Sequence, residues 1–230
     1  MSDTLILFDI DGTLLNTGGA GIEALTQGFA RAFPDHAARM PELDLAGATD
    51  SGLVMNIFES TEIEHSDSNR DRFYDAYLFH LADNLPGFGG RLLPGVIELL
   101  DTLARNQGTD VGLLTGNIER GARLKVEHFG IGAHFGFGSY GDDHHDRNEL
   151  GPIAIGRAEA ATGKKYSLDR VYVLGDTAKD IRCARAAGVQ AIAVATGGVA
   201  REELESHSPD VIFDDFTDTP AVLRSIGLGA

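Results

Sequence analysis

Two carboxylates stand one residue apart directly after a short apolar stretch, in the run Phe8-Asp9-Ile10-Asp11-Gly12-Thr13. If that stretch is a buried strand, Asp9 lies at its carboxyl end, where open α/β sheets bind their ligands. A simple turn after the strand would account for one Asp before a Gly. It would not account for two acids at the tip of a buried strand, because unpaired charges there repel and are costly to bury. A shared divalent cation would remove that cost.

A second apolar run ends in acids in the segment Leu174-Gly175-Asp176-Thr177-Ala178-Lys179-Asp180. Asp180 comes four residues after Asp176, so in a helical turn both carboxylates lie on one face. Together with Asp9 they could hold one hard cation. Mg²⁺ prefers oxygen ligands and is used beside phosphate groups, which predicts a magnesium site. The alternative for Asp176 alone is an ordinary helix N-cap.

A third motif, Thr115-Gly116-Asn117, follows another apolar run and precedes a helix that we expect to reach about Phe129. Thr115 offers a hydroxyl group. The backbone N–H groups of Gly116 and Asn117 would lie at the amino end of the helix, which favours phosphate oxygens. Thr and Asn are also common capping residues, so this motif alone leaves both interpretations open.

These motifs need a sheet that brings strand ends together, and the apolar runs predict one. Five short runs rich in Val, Ile and Leu read as buried strands: Leu5–Phe8, Val111–Leu114, Val171–Leu174, Ala191–Ala195 and Val211–Phe213. Near-continuous apolar strands are typical of a parallel sheet covered on both faces. Helical patterns alternate with them, as in Pro94 to Arg105, with Pro94 at the start and Gly108 after the end. The buried side of that helix would carry Val96, Ile97, Leu99, Leu100 and Leu103. The pattern predicts an α/β fold with a doubly wound, mainly parallel sheet.

Residues 18–90 have helical patterns and no convincing strand, which predicts an inserted α-helical cap domain. Two apolar stripes define its core: Ile22, Leu25, Phe29 and Phe33, and then Phe73, Tyr77 and Leu81. Glycines at both edges would let the cap move as a lid. The Rossmann-like core would then comprise residues 1–17 and 91–230. We interpret 135–146, with His144 and His145, as a polar loop.

Composition narrows the possible partners. The 230 residues include 35 acidic and 19 basic side chains, a formal charge of −16. That balance argues against binding to nucleic acid or to an anionic membrane, because both need clustered Lys and Arg. The apolar run before Asp9 is too short for a signal peptide or a membrane span. A single cysteine, Cys183, which we place in the core, fits a reducing compartment, so we expect a cytoplasmic protein.

In combination and in this order, the three motifs resemble those of the haloacid dehalogenase (HAD) superfamily. The resemblance is to its phosphoglycolate-phosphatase-like branch, which has a helical cap after the first motif, and it covers nearly the whole chain. It implies a Mg²⁺-dependent phosphatase that hydrolyses a small phosphorylated metabolite, a phosphomonoester, through an aspartyl-phosphate. The identity of the ester and the choice between monomer and homodimer stay open.

The resemblance also implies roles for the site residues. Asp9 would be the nucleophile, Asp11 the general acid and base, and Thr115 a ligand of the phosphoryl group. Mg²⁺ would be held by Asp9, the backbone carbonyl of Asp11, and Asp176, with Asp180 supporting them directly or from behind. Around the substrate, the same resemblance implies contacts from Gly12, Thr13, Gly116 and Asn117.

One basic position departs from the family pattern, which normally has a lysine before the helix leading to the last acidic motif. Here Arg147 is the only basic side chain in the matching segment. Arginine keeps the charge and can clamp phosphate in a fork, so we expect it to serve, with Lys125, Lys164 and Lys165 as alternatives. For Lys164 and Lys165 we favour a solvated turn.

In the cap, Gly47-Ala48-Thr49-Asp50 resembles the loop that contacts substrate in relatives, which would make Thr49 a substrate ligand. An ordinary helix cap at Thr49 or Asp50 is the alternative.

Three other functions deserve comparison. A phosphomutase of the β-phosphoglucomutase type would share every catalytic residue and differ only in the acceptor of the phosphoryl group. A haloacid dehalogenase needs neither magnesium nor a proton for an alkoxide, so Asp11 and Asp176 argue against it. A non-enzymatic phospho-receiver module shares strand-end acids, but it is shorter and has no inserted cap.

Overall fold

The computed structural model describes residues 3–228 and contains a six-stranded parallel sheet, in the order β5-β4-β1-β6-β7-β8. The strands are β1 (Thr4–Phe8), β4 (Thr109–Leu114), β5 (Gly138–Ser139), β6 (Val171–Gly175), β7 (Gln190–Val194) and β8 (Val211–Phe213). After β5, at one edge, the chain returns to the other side of β1 with β6. The switch point of the sheet therefore lies between β1 and β6, where such folds bind ligands. The predicted doubly wound α/β fold is confirmed.

Strand β1 is buried on both faces, as its continuous apolar run predicted. Leu5 and Leu7 belong to the hydrophobic cluster on one face of the sheet, and Ile6 and Phe8 to the cluster on the other. Successive side chains of β1 thus point to opposite faces of the sheet and pack into two different cores. Because β1 is packed from both sides, the position of Asp9, the residue directly after the strand, is fixed.

Nine α-helices lie within the described residues: α1 (Ala20–Ala32), α2 (Asp50–Thr61), α3 (Asp67–Asn84), α4 (Val96–Arg105), α5 (Glu119–His128), α6 (Leu150–Thr162), α7 (Ala178–Ala187), α8 (Arg201–Ser206) and α9 (Thr219–Ser225). Six of them, α4 to α9, cover the two faces of the sheet. Helices α4, α5 and α9 contribute to one core cluster, and α6, α7 and α8 to the other. None of the described helices is long and apolar enough to cross a bilayer.

The start and one face of α4 differ from prediction. The helix begins at Val96 and not at Pro94, because Gly95 adopts φ +80° as its N-cap. A Cβ at Gly95 would lie 2.1 Å from the carbonyl carbon of Phe216, so the chain passes too close for any other residue. Ile97 was assigned to the buried stripe but is 47% exposed.

Three short strands were not predicted. β5 lies inside 135–146, which we had interpreted entirely as a polar loop, and pairs with the end of β4. Its two residues, Gly138 and Ser139, have little intrinsic strand preference, so only the neighbouring strand explains them. β2 (Leu15–Asn16) and β3 (Arg91–Leu92) form an antiparallel pair at the two ends of the insertion.

Between β2 and β3 the chain forms α1, α2 and α3, which we call the helical unit. Its core is a separate hydrophobic cluster that includes Phe29, Phe58 and Phe73. Helices α1 and α3 approach closely at Gly28, where a Cβ would lie 2.8 Å from the Cα atom of Tyr77. Ile22, which we placed on the core stripe, is instead 58% exposed. The helical pattern identified the correct face of α1, but at Ile22 this face borders a cavity and not the core.

Candidate active site

The carboxyl ends of β1 and β6 bring three carboxylates together. One oxygen from each of Asp9, Asp176 and Asp180 lies within 4.8 Å of the other two, and all three residues are buried. The two strands are neighbours, with Phe8 opposite Leu174, and the N–H of Asp9 donates to the carbonyl of Leu174 at 2.9 Å. Acids that are 167 or more positions apart in the sequence therefore meet because their strands are adjacent at the switch point.

Asp176 sits in a cradle of small residues. Thr13 Oγ1 donates to its Oδ1 at 3.0 Å. A Cβ at Gly12 would lie 2.3 Å from Asp176 Oδ2, and one at Gly197 only 1.7 Å from the same atom. Both positions therefore exclude any residue larger than glycine. Gly12 and Thr13, which we expected to contact the substrate, thus lie against Asp176. Gly197 was not identified from the sequence as a site residue, although it follows β7 in a Thr-Gly-Gly run.

Asp180 belongs to the first turn of α7. Thr177, and not Asp176, is the N-cap of that helix, so the capping alternative for Asp176 is wrong. Asp180 Oδ2 accepts from the backbone N–H of Thr177 at 3.0 Å and from its hydroxyl at 2.6 Å. The Asp180 N–H donates to Thr177 Oγ1 at 3.4 Å, which completes a capping box. This leaves Asp180 Oδ1 to face the other acids. Cys183, further along α7, is fully buried in the core as predicted.

Arg147 joins the acids. Its Nη2 lies 3.0 Å from Asp9 Oδ1 and 2.5 Å from Asp180 Oδ1, and its Nη1 donates to the carbonyl of Gly47 at 3.3 Å. The guanidinium is buried, and its Nε has no hydrogen-bond partner among residues 3–228. One arginine offers a single positive charge to three buried carboxylates, so negative charge remains in excess.

Burial dominates the electrostatics of this cluster. It raises the pKa of Asp9 to about 6, although the charge of Arg147 opposes the rise. Burial, with the charges of Asp180 and Asp9, also raises the pKa of Asp176 well above its usual range. Ionised carboxylates at this spacing need a further cation. An all-oxygen donor set with surplus negative charge fits a hard divalent ion.

The other basic candidates lie at different places. Lys164 Nζ is 2.6 Å from Asp110 Oδ2, near the start of β4 and so at the opposite end of the sheet from the acids. Lys165 is exposed and pairs with Glu159. Lys165 lies in solvent, as in the solvated turn that we favoured, whereas Lys164 is half-buried against Asp110. Arg147 contacts Asp9, whereas Lys125 contacts Asp11.

Asp11 stands outside the carboxylate cluster. Its Oδ2 lies 2.6 Å from Lys125 Nζ and accepts from Asn117 Nδ2 at 2.8 Å. Lys125 Nζ also donates to Asn117 Oδ1 at 2.6 Å, which closes a triangle of three side chains. Lys125 is only 4% exposed, on the same face of α5 as Ala122 and Val126. A lysine on the apolar stripe of a helix was the signal that could have identified this contact.

The Thr115-Gly116-Asn117 motif lies further before the start of α5 than we expected. Helix α5 begins at Glu119, so the N–H groups of Gly116 and Asn117 lie in the turn before it. The fully buried Thr115 Oγ1 accepts from Asn117 Nδ2 at 2.9 Å and from the Asn117 N–H at 3.3 Å. A Cβ at Gly116 would lie 1.8 Å from the carbonyl oxygen of Ala48, so the helical unit rests directly on this turn.

The amino end of α2 forms most of that contact. Thr49 is the N-cap of α2: its hydroxyl accepts from the Gly52 N–H at 3.2 Å and donates to the carbonyl of His145 at 2.6 Å. Asp50 donates its N–H to the carbonyl of Gly116 at 2.7 Å, and its Oδ2 accepts from the Ile118 N–H at 2.8 Å. Thr49 thus has the capping geometry that we kept as the alternative. Burial raises the pKa of Asp50 to about 6.

A cavity of about 620 Å³ separates the helical unit from the strand ends. From the sheet side it is lined by Asp9, Asp11, Arg147 and Asp176, and from the turn before α5 by Gly116 and Asn117. The nucleophile candidate therefore faces a cleft large enough for a small molecule.

Comparison with known proteins agrees with this geometry. A sequence model of the haloacid dehalogenase-like hydrolase family matches residues 6–194. The phosphoglycolate phosphatase of Agrobacterium fabrum is 30% identical over 225 residues, covering 96% of this chain and 93% of that protein. The phosphoglycolate phosphatase of Mesorhizobium japonicum is 29% identical over 230 residues, covering 94% of each.

A solved structure gives the same fold. The crystal structure of a predicted phosphoglycolate phosphatase from Haemophilus somnus 129PT has a TM-score of 0.69 and 22% identity, covering 96% of this chain and 98% of that one. The fold is thus of the doubly wound α/β class, with acids gathered at the carboxyl ends of its central strands. The chain belongs to the haloacid dehalogenase-like hydrolase family, as its three motifs predicted.

Proposed function

We propose that this hydrolase is a Mg²⁺-dependent phosphatase that cleaves a small phosphomonoester through an aspartyl-phosphate on Asp9. The observation that carries the proposal is the meeting of Asp9, Asp176 and Asp180 beside Arg147, where Asp9, Asp176 and Arg147 line a cavity. Two relatives over nearly the full length are named phosphoglycolate phosphatases, which supports phosphomonoester hydrolysis. The physical requirement is that an anionic nucleophile must approach an anionic ester.

Mg²⁺ would be held by Asp9, Asp176 and the backbone carbonyl of Asp11, with Asp180 behind them. The donor chemistry supports this set, since all ligands are oxygens and the buried carboxylates repel one another. When bound, the ion would neutralise charge on the phosphoryl oxygens and so lower the repulsion between ester and Asp9. Arg147 adds a second positive charge and fixes one oxygen of Asp9 at 3.0 Å.

In the first chemical step, a carboxylate oxygen of Asp9 attacks phosphorus while the bond to the ester oxygen breaks. Asp11 donates a proton to the departing alcohol oxygen. In the second step, Asp11 takes a proton from water, the water attacks phosphorus, and phosphate leaves with Asp9 restored. Thr115 and the N–H groups of Gly116 and Asn117 would hold the phosphoryl oxygens.

The direct test is phosphate release from a panel of small phosphomonoesters, with Mg²⁺ and with EDTA. We expect release with Mg²⁺, loss with EDTA, and recovery when Mg²⁺ is restored. Mg²⁺ should also raise the unfolding temperature, because it binds only the folded carboxylate cluster; at a concentration of about 100 times Kd the gain is about 2.7 kcal/mol.

Asp176→Asn is the control for the metal, since it should lose both the activity and the thermal shift. Equal phosphate release in EDTA would contradict a metal-dependent mechanism. Conversion of a hexose 1-phosphate to the 6-phosphate without release of phosphate would instead assign a phosphomutase, which needs the same residues.

Lys125 should matter for turnover although it does not contact Asp9 in the structure. We expect Lys125→Met to lower kcat by about tenfold to a hundredfold with little change in KM, because a small displacement of a catalytic group has costs of this size. Asp11 would lose its 2.6 Å contact with the ammonium group and keep only Asn117. Steady-state kinetics on one ester measure the effect.

The matched control is Lys164→Met, which removes a lysine that pairs with Asp110 at the other end of the sheet. Its kcat should equal that of the wild type. A Lys125→Met enzyme with unchanged kcat would show that this contact does not position Asp11 for catalysis.

A further inference from the structure

The helical unit supplies one wall of the active-site cavity, and the side chains of this wall are mostly apolar. Ile22 and Leu25 of α1, Leu53 of α2 and Tyr77 of α3 all line it. Ile22 is 58% exposed, although its position in the helical pattern is that of a core residue. An apolar side chain left uncovered beside a catalytic cavity is available to contact a ligand.

The orientation of the substrate follows from the proposed function, on which this inference rests. The phosphoryl group must reach Asp9, at the end of β1, so it occupies the sheet side of the cavity. The leaving alcohol then points toward the helical unit and meets the apolar wall. The residues of that wall, and not the strand-end acids, would therefore select the alcohol.

The cavity offers no unpaired basic side chain, among the described residues that line it, to a negatively charged leaving alcohol. Among the described residues that line it, the basic side chains are Lys125 and Arg147. Arg147 is engaged with Asp9 and Asp180, and Lys125 with Asp11 and Asn117. The wall from the helical unit contributes no basic residue and one acid, Asp50.

A carboxylate on the leaving group would thus lie against apolar side chains, partly removed from water, and near the acids Asp11 and Asp50. Burying a charge without a partner is unfavourable, and like charges at close range add to the penalty. An uncharged alcohol pays neither cost, and an apolar portion of it would gain from contact with Ile22 and Leu25.

We infer that the preferred substrate is the phosphomonoester of an uncharged, partly apolar alcohol, and that phosphoglycolate, with its carboxylate, is a poor substrate. Ile22, Leu25 and Leu53 determine this specificity. The named activity of the relatives from Agrobacterium and Mesorhizobium would then differ from that of this chain in the leaving group and not in the chemistry.

The test compares kcat/KM for 2-phosphoglycolate with that for 2-hydroxyethyl phosphate, which has the same two-carbon skeleton and a hydroxymethyl group in place of the carboxylate. We expect the neutral ester to be favoured by at least about tenfold, the scale of one unfavourable charge contact. Butyl phosphate should exceed ethyl phosphate by about tenfold, since the added methylene groups contact the apolar wall. Equal or higher kcat/KM for 2-phosphoglycolate overturns the inference.

A variant that adds the missing cation gives an independent test. Ile22→Lys should raise the ratio of kcat/KM for 2-phosphoglycolate over 2-hydroxyethyl phosphate by about tenfold. Ile97→Lys, which changes an exposed isoleucine of α4 outside the cavity, should leave the ratio unchanged. An unchanged ratio in folded Ile22→Lys would count against Ile22 as a specificity residue.

These assays also distinguish a failure of the phosphatase assignment from a failure of the leaving-group inference alone. If no ester in the set releases phosphate with Mg²⁺, including 4-nitrophenyl phosphate, the phosphatase assignment fails and the leaving-group inference falls with it. If neutral esters are cleaved but 2-phosphoglycolate is cleaved better, the phosphatase assignment stands and only the leaving-group inference is overturned.

Discussion

Asp9→Asn should abolish turnover, with kcat lower by about four orders of magnitude or more. The amide has nearly the shape of the carboxylate, so it can occupy the same buried place at the end of β1. It lacks the negative charge and the nucleophilic oxygen that must bond to phosphorus. The buried contact with Arg147 would lose its anionic partner, but Asp180 still pairs with the guanidinium at 2.5 Å. The loss should therefore be chemical and not a failure to fold.

Phosphate release measures the loss, and acid quenching of the wild-type enzyme during turnover should trap the covalent intermediate. Digestion and mass spectrometry would then find phosphate on the peptide that contains Asp9, and none in the Asp9→Asn enzyme. Asp101→Asn is the control, since Asp101 is a half-exposed residue of α4 far from the cavity, and its pairs with Arg105 at 3.8 Å and His134 at 3.7 Å are long. Wild-type hydrolysis by Asp9→Asn would rule out Asp9 as the nucleophile.

The sheet could be predicted because its strands are short, apolar and buried on both faces. Strand β1 shows why: each residue from Leu5 to Phe8 faces one of two cores, so no polar position interrupts the run. Strand β5 had no such signal, because Gly138 and Ser139 form a strand only beside β4. Local sequence specifies a buried strand well and an edge strand poorly.

Helical periodicity identified faces but not what those faces meet. Ile22 and Ile97 both lie on or beside an apolar stripe, yet both are more than 40% exposed. The first meets the cavity between the helical unit and the sheet, and the second lies on the outer side of α4. Which surface lies opposite a helix depends on the packing of distant elements, and one sequence does not encode that in its spacing.

The meeting of Asp9 with Asp176 followed from strand ends alone, because parallel strands present their carboxyl ends at one edge. The partners of Asp11 did not. Lys125 is 114 positions away, and its contact depends on the rotation of α5 against β1. The docking of α2 on the Gly116 turn is equally non-local. The motifs thus located the acids. The structure was needed to show which basic residue lies beside which acid, with Arg147 beside Asp9 and Lys125 beside Asp11.

The second substitution for which we expect a large loss of activity is at Asp11, which lies beside Lys125 and apart from the carboxylate cluster. Asp11→Asn should lower kcat for an alkyl phosphate by about 10² to 10⁴, the usual contribution of a general acid and base. The alkoxide that leaves in the first step needs a proton, and the amide cannot supply it. Phosphate release from butyl phosphate measures this loss, and Lys125→Met provides the comparison in which the ion pair is lost but the acid is kept.

Changing the leaving group separates the two duties of Asp11. A 4-nitrophenolate ion leaves without a proton, so the first step should survive in Asp11→Asn when 4-nitrophenyl phosphate is the substrate. The second step still lacks its base, so the phosphorylated enzyme should accumulate. Stopped-flow measurement should then record a burst of nitrophenolate equal to the enzyme concentration, followed by slow turnover, whereas butyl phosphate gives no burst of butanol. A uniform loss for both esters with no burst would mean that Asp11 acts on neither proton and only holds the site together.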